Sequence, residues 1–169
     1  MDLILTHEQT DLDGLASMLG AFLLRPEAIA LLPRQINRNG KAFLRRYANE
    51  LPFSDYQALP HESITSVFLV DTQSLVTLRG MGEQTKVTVL DHHPRKVQTH
   101  PAWQVELHLT GACTTILVEK LREQNKTLTS IEATLMLLGI YEDTGSLTYS
   151  CTTSRDASAV AFLLEQGAD

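Results

Sequence analysis

Acidic and imidazole side chains recur at four points of the sequence where an apolar run ends. They are His7 with Asp11 and Asp13, then Asp71, then Asp91, His92 and His93, and finally Asp143. Packed together without a counterion, these carboxylates would repel one another and raise one another's pKa values. Divalent cations remove that repulsion, so the residue types favour a metal site. Carboxylate and imidazole without thiolate suit Mn²⁺ or Mg²⁺, with Fe, Co or Zn as alternatives.

A pair of such ions would supply chemistry for a phosphorylated substrate. Two ions about 3.5–4 Å apart polarise a phosphoryl group, activate a water molecule and stabilise the leaving oxygen. The formal charge of −6 argues against a protein that coats nucleic acid through an overall basic surface. Bound ions would therefore provide the local positive charge that an anionic substrate needs.

A parallel β-sheet is the element that could bring these four points together. Val67–Val70 and Val87–Leu90 are continuous apolar runs, typical of strands that are buried on both faces. Leu3–Thr6 is a third such run. Because the carboxyl ends of parallel strands lie along one edge, where open α/β sheets bind ligands, we expect the acids and imidazoles to meet there.

Helical patterns alternate with the strands. The further predicted elements are weaker strands at Ala28–Leu32 and Trp103–Leu107, and helices over Leu15–Leu23, Lys41–Glu50, Gly111 to about Gln124, a segment after the Thr129/Glu132 capping box, and Thr153 to Gly167. This alternation predicts an α/β fold, with a mainly parallel sheet of five to six strands and helices on both faces, in Rossmann-like layers.

Length and composition are those of one folded domain. The chain has 169 residues, of which 43% are hydrophobic and 20% charged, and it contains two cysteines. We expect residues 1–169 to form one domain in a reducing cytoplasm, because the cysteines provide no disulfide framework. No apolar run approaches the roughly 18 residues of a membrane span, so no membrane partner is expected.

The four motifs, taken in order, resemble those of the DHH phosphoesterases. This group includes RecJ-like nucleases, oligoribonucleases, exopolyphosphatases and family II pyrophosphatases. The stretch from Thr6-His7 to Ala16-Ser17-Met18 also resembles the DHH module that, in some bacterial proteins, precedes CBS and poly(A)-polymerase-like tRNA nucleotidyltransferase domains. The resemblance extends over the whole chain and implies two divalent ions, with manganese preferred and magnesium or cobalt as alternatives.

The resemblance also implies a role for each motif residue. One ion would be held by His7, Asp11 and Asp71, and the other by Asp13, Asp71, His92 and Asp143. Asp71 would bridge the two ions, and a water or hydroxide between them would be the nucleophile. His93 would contact the phosphoryl group and act with Asp71 as a catalytic residue, while Asp91 would orient a loop or an imidazole from behind the ligands.

Two other features allow alternative interpretations. Gly111 and Thr114 begin a helix whose amides could bind phosphate, or they could form a plain cap with close packing. A set of basic residues near one predicted helix could guide a nucleic-acid or polyphosphate chain, or could be an ordinary solvated face. That set consists of Arg34, Arg38, Lys41, Arg45 and Arg46.

The resemblance therefore implies hydrolysis of a phosphodiester or phosphoanhydride bond in short RNA or DNA, polyphosphate or pyrophosphate. Family members continue into a second, C-terminal substrate-binding domain, often with a Gly-Gly-Gly-His motif that this chain lacks. We expect such a domain in a longer parent chain. The alternative is a catalytically silent metal-binding or regulatory DHH module of a larger, tRNA nucleotidyltransferase-like protein.

Overall fold

Eight strands and five α-helices make up the computed structural model, which describes residues 1–59, 61–95 and 100–169. The strands are β1 (Asp2–Leu5), β2 (Gln9–Thr10), β3 (Ile29–Leu31), β4 (Gln35–Ile36), β5 (Phe53–Ser54), β6 (Ser66–Val70), β7 (Lys86–Asp91) and β8 (Gln104–Leu107). The α-helices are α1 (Leu12–Leu24), α2 (Arg38–Tyr47), α3 (Cys113–Glu123), α4 (Ser130–Thr144) and α5 (Ser154–Glu165). Short 3₁₀ turns cover Ala48–Glu50 and Tyr56–Ala58.

A six-stranded parallel sheet forms the centre of the domain. Its strand order is β5-β3-β1-β6-β7-β8, and every neighbouring pair runs parallel. The apolar runs of β6 and β7 lie inside the sheet and are largely buried, as their continuous hydrophobicity predicts. A separate parallel pair joins β2 to β4. The predicted α/β class and parallel sheet are confirmed.

The two faces of the sheet are covered differently, which corrects the expectation of helices on both. One face packs against α-helices around Leu15, Leu117 and Met136. The opposite apolar cluster is covered by side chains such as Leu75 and Trp103, and none of its members comes from an α-helix of the described chain. The reason lies in the connections that wind onto this face, since residues 71–85 between β6 and β7 contain no helix.

The helix ends follow the capping chemistry in the sequence. The Thr129 and Thr153 capping boxes both form, which confirms the predicted starts of α4 and α5. The α2 helix begins earlier than predicted, because Asn37 caps it by accepting the Gly40 N–H. The α3 helix begins later, at Cys113. Among the described residues, no helix is both long enough and apolar enough to cross a membrane.

Candidate metal centre

The predicted site lies where the chain direction reverses at the middle of the sheet. β1 and β6 are neighbours, but β1 leads through α1 towards β3 on one side, whereas β6 leads to β7 on the other. Such a switch point leaves a crevice at the carboxyl ends of the two strands. His7 follows β1 and Asp71 follows β6, so both side chains reach this crevice.

Asp71 occupies the crevice in a strained backbone conformation. Its φ angle of 57° is left-handed, which costs a non-glycine residue about 1–3 kcal/mol and is concentrated at functional sites. Its N–H donates to the Leu90 carbonyl at 3.0 Å, which ties the turn to β7. The side chain is almost fully buried.

Asp71 faces an imidazole with each of its two carboxylate oxygens. Oδ2 lies 3.4 Å from His7 Nε2, and the same nitrogen lies 3.7 Å from Asp11 Oδ1. Oδ1 lies 3.4 Å from His92 Nε2. His7, Asp11 and Asp71 each offer one ligand atom, and these three atoms lie within 4.8 Å of one another.

A second group gathers around His92. Its Nε2 lies 3.8 Å from Asp13 Oδ2 and 3.3 Å from Asp143 Oδ2, and the ligand atoms of these three residues lie within 4.8 Å of one another. His92 Nδ1 lies 3.1 Å from the Thr110 carbonyl oxygen. Because a carbonyl can only accept, Nδ1 carries the hydrogen, and Nε2 is the nitrogen presented to the carboxylates.

Asp13 also caps a helix that follows 100 residues later in the sequence. Its fully buried carboxylate accepts the Cys113 N–H at 2.8 Å and the Thr114 N–H at 2.9 Å. The N-cap residue of α3 is Ala112, which has no side chain that can accept a hydrogen bond. Asp13 therefore supplies the cap of α3 from the first turn of α1.

The hydrogen bonds at the start of α3 bear on the two interpretations of Gly111 and Thr114. The Gly111 N–H donates to both carboxylate oxygens of Asp156, at 3.1 and 2.9 Å, and the Thr114 N–H donates to Asp13. Both residues are buried. Since protein carboxylates already take these donors, the structure agrees with the alternative of a cap with close packing.

Asp91 is fully buried and orients His93. Its Oδ1 accepts from His93 Nδ1 at 2.8 Å and from the His92 N–H at 2.8 Å, while Oδ2 accepts from Gln73 Nε2 at 2.8 Å. The His93 side chain is half exposed, at 51%. Asp91 thus holds His93 through Nδ1, which leaves Nε2 as the remaining ring nitrogen.

The electrostatics show an excess of negative charge. Burial, followed by the repulsion of Asp71, raises the pKa of Asp13 well above its usual value, and the same two causes raise the pKa of Asp143. Contacts with Asp11 and then Asp71 raise the pKa of His7 to about 10. Burial opposes ionisation of His92, but the surrounding carboxylates outweigh it and raise its pKa to about 11.

Divalent cations fit this cluster. Asp71 Oδ1 and His92 Nε2 are buried and make no hydrogen bond with any residue in the described ranges. Buried polar atoms are normally satisfied, so atoms left without a partner need an explanation. A cation would satisfy both atoms and relieve the repulsion between the carboxylates, and the donor set of carboxylate oxygen and imidazole nitrogen is one that Mn²⁺ accepts.

A cavity of about 330 Å³ opens onto these groups. Its lining consists of His7, Asp11, Asp71, Thr72, Asp91, His93 and Asp143. Two larger open cavities, each of about 680 Å³, contain none of these residues. The smaller cavity therefore gives access to residues of both groups.

Sequence reasoning did not assign a role to Glu142 or Gln73. Glu142 Oε2 accepts the Leu12 N–H at 2.5 Å, and its two oxygens accept from Asn37 and Asn39. It therefore fixes the start of α1, between Asp11 and Asp13, against α4. The position of Glu142 directly before Asp143 was visible in the sequence, but its partners lie more than 100 positions away.

Comparisons with known proteins identify related sequences and structures. A model of the DHH family, N-terminal domain, matches residues 3–140. An A-adding tRNA nucleotidyltransferase of Geobacter sulfurreducens is 37% identical over 175 residues, which cover the whole chain and 20% of that protein. An A-adding tRNA nucleotidyltransferase of Aquifex aeolicus is 34% identical over 98% of this chain and 19% of its own. The chain thus spans about a fifth of the length of these curated relatives.

Two solved structures share the fold. A Methanococcus jannaschii protein assigned to the family II inorganic pyrophosphatases superposes with a TM-score of 0.75 at 22% identity, over 99% of this chain and 56% of that one. An exopolyphosphatase-related protein from Bacteroides fragilis superposes with a TM-score of 0.71 at 16% identity, over 99% of this chain and 53% of that one. At these identities the likeness shows a common fold.

Proposed function

The chain belongs to the DHH family, and from this membership together with the acidic cavity we propose that it hydrolyses a phosphodiester or phosphoanhydride bond with two divalent metal ions, preferably manganese. The substrate class is short RNA or DNA, polyphosphate or pyrophosphate. The proposed site consists of His7, Asp11, Asp13, Asp71, His92, His93 and Asp143, with Asp91 behind them.

The observation that carries this proposal is the position of Asp71. One oxygen faces His7 and the other faces His92, each at 3.4 Å, so the same carboxylate lies between the two groups of residues. A single carboxylate between two sets of imidazole and carboxylate donors is suited to a bridging role between paired ions. The strained backbone of Asp71 supports a functional requirement for that position.

Each group of ligands would hold one ion. His7, Asp11 and Asp71 would hold the first, and Asp71 would share in the second with three further residues, namely Asp13, His92 and Asp143. When bound, the ions would polarise the phosphoryl group, lower the pKa of the attacking water and stabilise the leaving oxygen. Manganese is preferred because the donors combine carboxylate oxygen with imidazole nitrogen.

The residues around the ligands would orient the substrate and the imidazoles. His93, held at Nδ1 by Asp91, would present Nε2 to a phosphoryl oxygen and stabilise the charge that develops there. Gln73 fixes the second oxygen of Asp91, so the His93 ring is held in one orientation. The Thr110 carbonyl performs the corresponding task for His92.

Turnover of bis-p-nitrophenyl phosphate tests the function. We expect hydrolysis that depends on Mn²⁺ and is abolished by Asp71→Ala, because that carboxylate serves both groups of ligands. Asp55→Ala removes one exposed carboxylate elsewhere and is the matched control, with activity unchanged. Hydrolysis that persists in Asp71→Ala, or that proceeds equally well in EDTA, would contradict the proposal.

A second candidate is a catalytically silent metal-binding or regulatory module. It is favoured by the match of almost the entire chain to about a fifth of two relatives named A-adding tRNA nucleotidyltransferases. Stoichiometric metal binding without turnover of any phosphorylated substrate would support this candidate. In either case we propose that residues 1–169 act as one domain, and that a further substrate-binding domain in a longer parent chain selects the substrate.

A further inference from the structure

Positive charge is concentrated on one helix beside the acidic cavity. The α2 helix carries four basic residues and no acidic residue within Arg38–Tyr47, although the whole chain has a formal charge of −6. Arg34 lies just before this helix. We define the α2 basic surface as Arg34, Arg38, Lys41, Arg45 and Arg46, all of which are exposed.

The helix presents these charges on one side. Arg38, Lys41 and Arg45 follow the spacing i, i+3, i+7 and therefore share a face, while Gly40 and Phe43 lie on the buried side. From Arg38 to Arg46 the charges extend over about 12 Å of helix axis. None of the five basic side chains forms an ion pair with an acidic residue in the described part of the chain.

Hydrogen bonds connect this surface to the metal centre. Asn37 and Asn39, at the start of α2, donate to Glu142 at 3.2 and 2.9 Å. Glu142 precedes Asp143 and also accepts from the Leu12 N–H, between Asp11 and Asp13. The start of α2 is therefore fixed to the two chain segments that carry the proposed ligands Asp11, Asp13 and Asp143.

The exposed aromatic ring of Tyr56 lies next to Arg34 of the α2 basic surface. The Arg34 guanidinium carbon is 5.6 Å from the centre of the Tyr56 ring, and the ring is 42% exposed. Both residues line a small cavity together with Thr6 and Glu8, the two neighbours of His7. A ring with an adjacent arginine is suited to stack on a nucleobase, which inorganic polyphosphate lacks.

We propose that the α2 basic surface binds the phosphate backbone of a single-stranded oligonucleotide, with Tyr56 stacking on a base, and leads the strand to the metal centre. This rests on the proposed hydrolytic function and narrows its substrate to an oligonucleotide. The unpaired cations supply the electrostatic complement to the backbone, and the Arg34–Tyr56 pair distinguishes a nucleic acid from other chains of phosphate.

Binding of a fluorescein-labelled ten-nucleotide RNA, measured by anisotropy in EDTA over a range of NaCl concentrations, tests the surface without hydrolysis. The test variant is R38Q/K41Q/R45Q. Its matched control is R79Q/K86Q/K126Q, which removes the same charge from exposed positions elsewhere. Each lost phosphate contact lowers the salt slope by about 0.7, or about fivefold in affinity at 0.1 M salt. We expect the test variant to lose about a hundredfold in affinity and the control less than threefold.

The Tyr56→Ala variant distinguishes an oligonucleotide from inorganic polyphosphate as the ligand of this surface. We expect it to lower RNA affinity about tenfold and to leave the affinity for inorganic polyphosphate, measured by competition, unchanged. Equal losses in both triple variants overturn the surface assignment, and a Tyr56→Ala variant with undiminished RNA affinity overturns the choice of oligonucleotide. If the wild-type chain shows no Mn²⁺-dependent turnover of bis-p-nitrophenyl phosphate, that result overturns the proposed function alone. The binding result is independent of it, because the binding assay contains no metal.

Discussion

Truncation of two carboxylates of the same proposed metal group should change the free energy of unfolding by very different amounts when no metal is bound. Asp13 caps α3 by accepting two buried N–H groups, from Cys113 and Thr114. The Asp143 side chain is 23% exposed and is placed 3.3 Å from His92. Asp13→Ala would leave both amides without an acceptor, because Ala112 cannot replace it.

The hydrogen bonds of the two carboxylates determine how far the two variants should differ in free energy of unfolding. Each buried N–H left without a partner costs about 1–3 kcal/mol, part of which is offset by relief of the carboxylate repulsion, so Asp13→Ala should lose about 2–4 kcal/mol. For a chain of this length that corresponds to roughly 5–15 °C in Tm. Asp143→Ala removes a repelled carboxylate without orphaning an amide, so its free energy of unfolding should change by less than about 1 kcal/mol.

Thermal unfolding in EDTA and then in Mn²⁺ measures both effects. At a manganese concentration 100 times Kd, the wild-type chain should gain about 2.7 kcal/mol for each ion bound, or roughly 5–10 °C per ion. Both variants should lose the gain from the second ion, since each lacks one of the residues proposed to hold it. Equal Tm values for the two variants in EDTA would refute the capping role of Asp13. A full manganese-dependent rise in either variant would refute its assignment as a ligand.

Three further predictions concern residues around the site. Hydrogen bonds outweigh the cost of burying Asp156 and lower its pKa in the folded chain. The ionised carboxylate therefore stabilises the fold fully at a pH above its pKa in the unfolded chain, about 3.9, and this stabilisation is lost as the pH falls through its pKa in the folded chain. Asp156→Asn should therefore cost about 2–4 kcal/mol at pH 7 and less below about pH 4, measured by urea unfolding. Asp91→Asn should lower turnover about 10–100-fold by releasing His93 while manganese content stays unchanged, since Asp91 acts through the imidazole; lost manganese would show that it is a ligand. Gly139→Ala should cost about 1–3 kcal/mol, because the added Cβ would lie 2.7 Å from Ala16 Cβ; an unchanged Tm would contradict this.

The convergence of the motifs could be predicted from the sequence because strand direction determines it. Apolar runs identify β6 and β7, and parallel pairing brings the residues that follow them to one edge. The sequence does not show that Asp71 adopts a left-handed φ, since an aspartate after a strand is compatible with several turns. It also does not show that the helices of the described chain cover mainly one face, because apolar connections without regular structure can bury a sheet equally well.

Contacts between distant segments account for the remaining differences. The cap that Asp13 provides to α3 joins residues 100 positions apart, and Glu142 joins segments separated by more than 100 positions. Local capping patterns identify Thr129 and Thr153, whose partners lie three residues away, but they cannot identify an acceptor supplied by another helix. For the same reason the amides of Gly111 and Thr114 looked available for phosphate in the sequence.

The manganese content of the purified chain tests the paired-ion site most directly. The chain would be purified without chelator, loaded with MnCl₂, desalted and measured by elemental analysis, with Asp71→Ala and Asp55→Ala treated identically. We predict two manganese ions per chain in the wild type and in Asp55→Ala, and at most one in Asp71→Ala. A wild-type chain that retains no manganese, or an Asp71→Ala chain that retains two, would contradict a centre bridged by Asp71.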